Sequence, residues 1–161
     1  KKHRFSEMRH PISPRSISFR AILPILAITT SIPAEDKVDF GKQVYPILKE
    51  NCLSCHATPY VDAKSGRTKK PKGGLRLDTH EMILRGYLDD DKHVAVLIPG
   101  VPEKSKFYTS SALDPDHDDI MPATGDPLTK AQQEILKQWI AEGAKSNGFK
   151  APDYVNPKAK E

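Results

Sequence analysis

Apolar side chains are scarce in this sequence. They make up 37% of its 161 residues, against 29% charged residues, where globular domains run roughly 45–50% apolar with glycine counted. A core built from side chains alone would be thin. Long apolar runs are missing: no stretch approaches the roughly 20 residues of a spanning helix, which excludes a polytopic membrane protein. An excess of one charge is missing as well, once the chain is divided. The net charge is +4, but residues 1–34 carry six basic residues and one acidic residue, leaving 19 basic against 20 acidic in the remainder. Nucleic-acid binding calls for a basic face on the folded part, and that balance does not provide one. No internal repeat and no convincing β-alternation is present. Fourteen prolines and nine glycines point to much irregular backbone. The length suits one ordinary domain with tails.

The basic leader is informative. Arg15 and Arg20 precede the apolar run Ala21–Ile28, and small or polar residues follow to Ala34. A basic start, a short apolar stretch interrupted by Pro24 and a small residue at the cut describe a secretory signal peptide over residues 1–34. Cleavage after Ala34 would leave an exported, periplasmic or cell-envelope protein with no membrane span. An uncleaved leader could instead hold the domain at the outer face of the membrane.

Both cysteines fall within five residues, Cys52-Leu53-Ser54-Cys55-His56. Two lone cysteines three apart with a histidine next would arise in roughly 5 of 10,000 shufflings, and the pattern is the attachment signature of c-type haem. The spacing has a chemical reason. Two thiols add to the two porphyrin vinyls as thioethers, and the following histidine supplies an imidazole nitrogen to iron. The other ring N–H must then find an acceptor, usually a backbone carbonyl or a carboxylate. Three other readings compete. A redox dithiol wants a βαβ setting, a structural zinc site wants a fourth ligand, and a plain disulfide leaves His56 unexplained. One covalent haem c would also supply the apolar core that the side chains lack.

Around this motif the pattern is helical. Asp36 and Asp39 suit a helix start. Val38, Phe40, Val44, Ile47 and Leu48 form an apolar face, and Pro46 should kink or divide the segment. Residues Thr58–Gly74 read as a loop whose Lys64, Arg67, Lys69, Lys70 and Lys72 either steer an acidic redox partner or, the favoured reading, form a solvated face. Asp78-x-x-Glu81 resembles a capping box for a short helix closed by Gly86. Asp114, Asp116 and Asp118 mimic a calcium loop, but Asp119 and Gly125 occupy the positions that an EF-hand gives to Gly and Glu. The last helix runs from Thr129, with a Thr129–Gln132 capping box, to Gly143. Its Ile135, Leu136, Trp139 and Ile140 form the core stripe. Ser146–Glu161 reads as a polar, loose tail.

Met121 leads as the sixth iron ligand, in an irregular stretch before the last helix with Pro122 fixing the backbone after it. A neutral thioether favours ferrous iron and raises the potential. His117, His93, His80 and Met82 are the rivals.

Together these residues resemble a planctomycete-type cytochrome c domain. The resemblance is carried by Pro46-Ile47-Leu48 before Cys52–His56, Gly73-Gly74-Leu75-Arg76-Leu77-Asp78, Ile98-Pro99-Gly100 with Pro102–Ser105, Met121-Pro122, and Leu128 through Trp139-Ile140 to Gly143-Ala144. It implies an all-α, cytochrome c-like fold of short helices and long loops around one haem, within residues 35–144. It also implies Cys52 and Cys55 as attachment points, His56 as proximal ligand and Met121 as distal ligand. The expected function is single-electron transfer between redox protein partners, without catalysis. The alternatives are a peroxidase-like enzyme or gas sensor with an open sixth position, and a haem-stabilised interaction module.

Overall fold

The computed structural model describes residues 37–160, which lie within one compact unit, Glu35–Glu161. The expected leader over residues 1–34 lies outside the described residues.

Asp39 starts the first helical segment by accepting the Lys42 N–H at 2.9 Å. Pro46 divides that segment as expected. A π-helical turn, Phe40–Val44, comes first, and helix α1, Tyr45–Asn51, follows with Pro46 in its first turn. Proline has no N–H to give the preceding turn, and the Tyr45 N–H bonds the Phe40 carbonyl one residue further back than in an α-helix. Helix α2, His80–Arg85, is capped by Thr79, whose hydroxyl accepts the Met82 N–H at 3.2 Å. The cap is therefore not Asp78, because the Asp78 carboxylate is taken by Arg76 and by the Thr58 N–H. Helix α3, Lys106–Thr109, is a single turn, and helix α4, Lys130–Ala141, begins with the expected Thr129–Gln132 capping box. Gly143 follows α4 with φ 96°, returning its N–H to the Ile140 carbonyl, as a C-terminal cap requires.

The all-α expectation is wrong. Among the described residues two antiparallel hairpins stand beside four short helices. Strands β1, Tyr60–Val61, and β2, Thr68–Lys69, form one pair, and β3, Tyr87–Asp89, and β4, Lys92–Val94, the other. Strands of two or three residues are too short to show period-2 alternation. The second hairpin turns through Asp90 and Asp91 with φ of 43° and 62°, left-handed values that aspartate tolerates and that a two-residue turn between twisted strands needs. Gly86 joins α2 to this hairpin at φ 76°, and a Cβ there would collide with the Val94 carbonyl oxygen. Gly86→Ala is expected to destabilise the folded protein by at least ~2 kcal/mol, read as a lower denaturant midpoint.

The core joins the two helical ends of the domain. Phe40 stacks against Trp139 with centroids 5.2 Å apart, and His80 and Phe149 meet the Phe40 ring edge-on at 5.4 and 5.8 Å. The Trp139 indole N–H donates to the Lys145 carbonyl at 2.9 Å. Leu136 and Ile140 are buried with Trp139, and Ile135 packs half-buried beside them. The loose-tail expectation also fails: Phe149, Ala151 and Tyr154 pack on the core, Asn156 is buried, and Asp62 bridges to Ala159. Among the described residues no helix is long and apolar enough to cross a membrane.

Candidate haem-attachment site

Helix α1 delivers the motif. Beyond Asn51 the chain keeps turning: the N–H groups of Cys55 and His56 both donate to the Cys52 carbonyl, at 3.2 and 3.0 Å. Cys52, Cys55 and His56 are thus placed i, i+3 and i+4 on one helical turn, the spacings that share a face. All three are half-buried, while Leu53 between them is fully buried and anchors the turn to the core. The two cysteines form no disulfide with each other. Burial, aided by the neighbouring Cys55, pushes the Cys52 thiol up to about 12. A redox-active dithiol is tuned the opposite way, toward thiolate.

His56 is held as an iron ligand would be. Its Nδ1 lies 3.3 Å from the Leu75 carbonyl oxygen. A carbonyl only accepts, so this contact puts the ring proton on Nδ1 and leaves the Nε2 lone pair free. Leu75 is the acceptor that the motif alone does not identify. Burial lowers the His56 pKa and the Lys72 ammonium lowers it further, against opposing backbone hydrogen bonds from Leu75 and Lys72. The neutral, ligating form is favoured at neutral pH.

Backbone carbonyls around the turn are clamped from two directions. Lys72 N–H donates to Cys55 at 2.9 Å and Leu77 N–H to His56 at 2.7 Å. The segment that supplies these donors, and the Leu75 carbonyl, is braced by Asp78. That carboxylate is 5% exposed, accepts two bonds from Arg76 at 3.0 and 2.7 Å, and accepts a third from the Thr58 N–H at 3.2 Å. From the other end of the chain, the Asn156 amide donates to the Ser54 carbonyl at 3.0 Å. Asn156→Ala is expected to cost about 1–2 kcal/mol in holo-protein stability, measured by chemical denaturation. A change below a few tenths would show that this clamp does not hold the turn.

Residues 52–125 match the family model described as Planctomycete cytochrome C. That match supports a planctomycete-type cytochrome c domain over this stretch of the chain. No curated protein and no solved structure matches the chain. A cytochrome c domain implies haem c, and the donor set fits that group: two unpaired thiols on one face of a turn, and a neutral imidazole whose free nitrogen is fixed by its partner. Among the described residues no group of three or more His, Cys, Asp or Glu is placed to hold a metal ion.

Met121 belongs to a different segment of the cytochrome domain. Its N–H donates to the Ser110 carbonyl at 3.0 Å. The buried Gln133 amide fixes the neighbouring Ser111 carbonyl at 2.8 Å and ties this region to α4. The Met121 side chain is 42% exposed and takes no part in the core. Its rivals are otherwise engaged or placed. His80 Nε2 contacts the Ala144 carbonyl at 2.6 Å, and its ring packs on Phe40 and Trp139. His117 Nδ1 accepts the Asp119 N–H at 3.0 Å. His93 is exposed on β4, and Met82 is half-buried on α2.

Sequence reasoning missed Leu75, Asp78, Asn156 and Tyr154. Burial raises the Tyr154 phenol, with Tyr60, Cys55 and Tyr45 adding to the effect. A cleft of about 540 Å³ lies between α1 and the C-terminal segment, lined by Tyr45, Pro46, Lys49, Pro152, Tyr154 and Val155 among others. It includes none of Cys52, Cys55, His56 and Met121.

Proposed function

We propose that the protein is an exported electron carrier with one haem c, attached through Cys52 and Cys55 and ligated by His56 and Met121. The observation that carries this reading is the fixed tautomer of His56, on the same turn as both thiols. When bound, the haem supplies a one-electron couple. The chain's own groups do the rest. The Leu75 carbonyl holds the imidazole proton at Nδ1, Leu53 pins the turn to the core, and Asp78 and Asn156 brace the two sides of the loop. Such rigidity suits a carrier, whose site should differ little between oxidation states. Met121 supports full ligation because it is a neutral soft donor on an anchored segment and is not consumed by packing. Export rests on the pattern of residues 1–34. The partners on this reading are redox proteins.

The visible spectrum of holo-protein, oxidised and reduced, with a pyridine haemochrome assay and carbon monoxide added to the ferrous form, tests the proposal. The expected result is a bis-thioether c-type haemochrome and no carbon monoxide binding at neutral pH. Ready binding would overturn the carrier reading in favour of an open-site enzyme or gas sensor.

A further inference from the structure

The stretch that bears Met121 has no regular structure of its own. Between Ala112 and Lys130 the chain forms neither helix nor strand. Two buried apolar side chains, Ile120 and Leu128, moor it to the domain, and the Met121 N–H rests on the Ser110 carbonyl. The bonds inside the stretch are short-range: Ile120 N–H donates to the His117 carbonyl at 3.0 Å, and His117 N–H to the Asp114 carbonyl at 2.9 Å. One side chain of α4 closes the base of this loop. Gln133 is 6% exposed, and its amide nitrogen donates to the Ser111 carbonyl at 2.8 Å and to the Leu128 carbonyl at 3.2 Å. A primary amide has two N–H groups. Here one goes to the chain entering the loop and the other to the chain leaving it.

Packing alone does not call for a glutamine at this position. Gln133 stands in the buried stripe of α4 with Leu136, Trp139 and Ile140, where a leucine or methionine would fill a similar volume. A buried amide persists only when its polar atoms are bonded, and Gln133 is bonded at both: its Oε1 accepts from the Lys130 ammonium at 3.2 Å. We infer that Gln133 is a positioning residue for the sixth iron ligand. By stapling Ser111 to Leu128 it fixes both ends of the loop that presents Met121, and so holds that thioether in place against competing ligands. The inference rests on the electron-carrier reading, in which Met121 ligates the iron. Its physical basis is local concentration. A side chain on a closed loop competes as an intramolecular ligand, and its effective concentration falls as the loop loosens. The Met121 side chain is 42% exposed and lies outside the core, so its placement depends on the ends of the loop rather than on packing.

The test compares wild-type holo-protein with Gln133→Met, which keeps the volume and removes both donors. Amide hydrogen exchange is followed across residues 113–127, and the ferric protein is titrated with imidazole while its visible spectrum is recorded. Exchange of the Ile120 and Met121 amides is expected to quicken by about tenfold or more, the equivalent of one hydrogen bond lost at the base of the loop. The affinity for imidazole is expected to rise by about the same factor. Gly86→Ala, which strains the junction of α2 and β3 instead, should leave both within about twofold of wild type. Equal changes in Gly86→Ala would reduce the effect to global stability and overturn the positioning role. Unchanged exchange in Gln133→Met would overturn it too, as would an unchanged imidazole affinity in a protein whose wild type resists imidazole. Should Gln133→Met fail to fold, Gln133→Asn, whose shorter amide cannot span both carbonyls, takes its place under the same expectations. Met121→Ala separates these outcomes from failure of the carrier reading. Wild type binding imidazole as tightly as Met121→Ala would sink Met121 as the ligand, with the staple itself still read independently from hydrogen exchange.

Discussion

Cys52→Ser/Cys55→Ser, matured in a host that attaches haem c, is expected to yield a chain whose intact mass is that of the polypeptide alone. The wild type should carry the added mass of one haem. Acid–ketone extraction should strip all colour from the variant and leave the wild type coloured. The reason lies in the turn itself. Cys52 and Cys55 are three residues apart on one helical face, and each thiol would make one thioether bond to the porphyrin. Single substitutions should therefore keep one thioether and survive extraction. The two sulfurs have no evident alternative employment. They are not paired as a disulfide, and a thiol with a pKa of about 12 at Cys52 is protonated almost completely at neutral pH, which makes it a poor partner for thiol–disulfide exchange. A wild-type mass equal to that of the bare chain would remove the basis of every functional statement made for this protein.

The family resemblance was legible largely from five consecutive residues, because the spacing of Cys52, Cys55 and His56 is a local signal. Helix α4 was legible for a similar reason, since its cap at Thr129, its stripe through Trp139 and its closing Gly143 all lie within one helix and its flanks. The groups that hold the site rigid are non-local, and nothing near Cys52 announces them. Leu75 meets His56 across 19 residues, and Asn156 meets Ser54 across 102. A backbone carbonyl has no side-chain signature, so Leu75 could not have been chosen over its neighbours. Asn156 sits in a proline-containing polar stretch whose composition suggests looseness. One buried amide and a few backbone hydrogen bonds overturn that suggestion. The hairpins were hidden by brevity. For Asp78 the local rule pointed to a cap, but Arg76, two residues away, and the Thr58 N–H won the carboxylate, and Thr79 took over the cap.

Met121→Ala is expected to lower the reduction potential and open the sixth iron position. Axial ligation spans roughly 0.8 V of potential among haem proteins, and losing a thioether that favours ferrous iron should shift this protein downward by on the order of 0.1 V. The ferrous variant should then bind carbon monoxide, which the wild type should not. Stability gives an independent check on the meaning of that shift. The Met121 side chain is exposed and outside the core, so truncating it removes little packing, and the fold's other contacts should persist. His80→Ala is the instructive comparison. That ring contacts the Ala144 carbonyl and packs edge-on against Phe40 and Trp139, so its loss should lower the unfolding midpoint while leaving carbon monoxide excluded. A ligand variant changes the spectrum and potential with a modest stability cost that vanishes when an external ligand such as imidazole fills the position. A core variant changes stability and cannot be rescued that way. If Met121→Ala leaves potential and spectrum unchanged while His80→Ala, His93→Ala, His117→Ala or Met82→Ala moves them, the sixth ligand is the residue whose substitution does so.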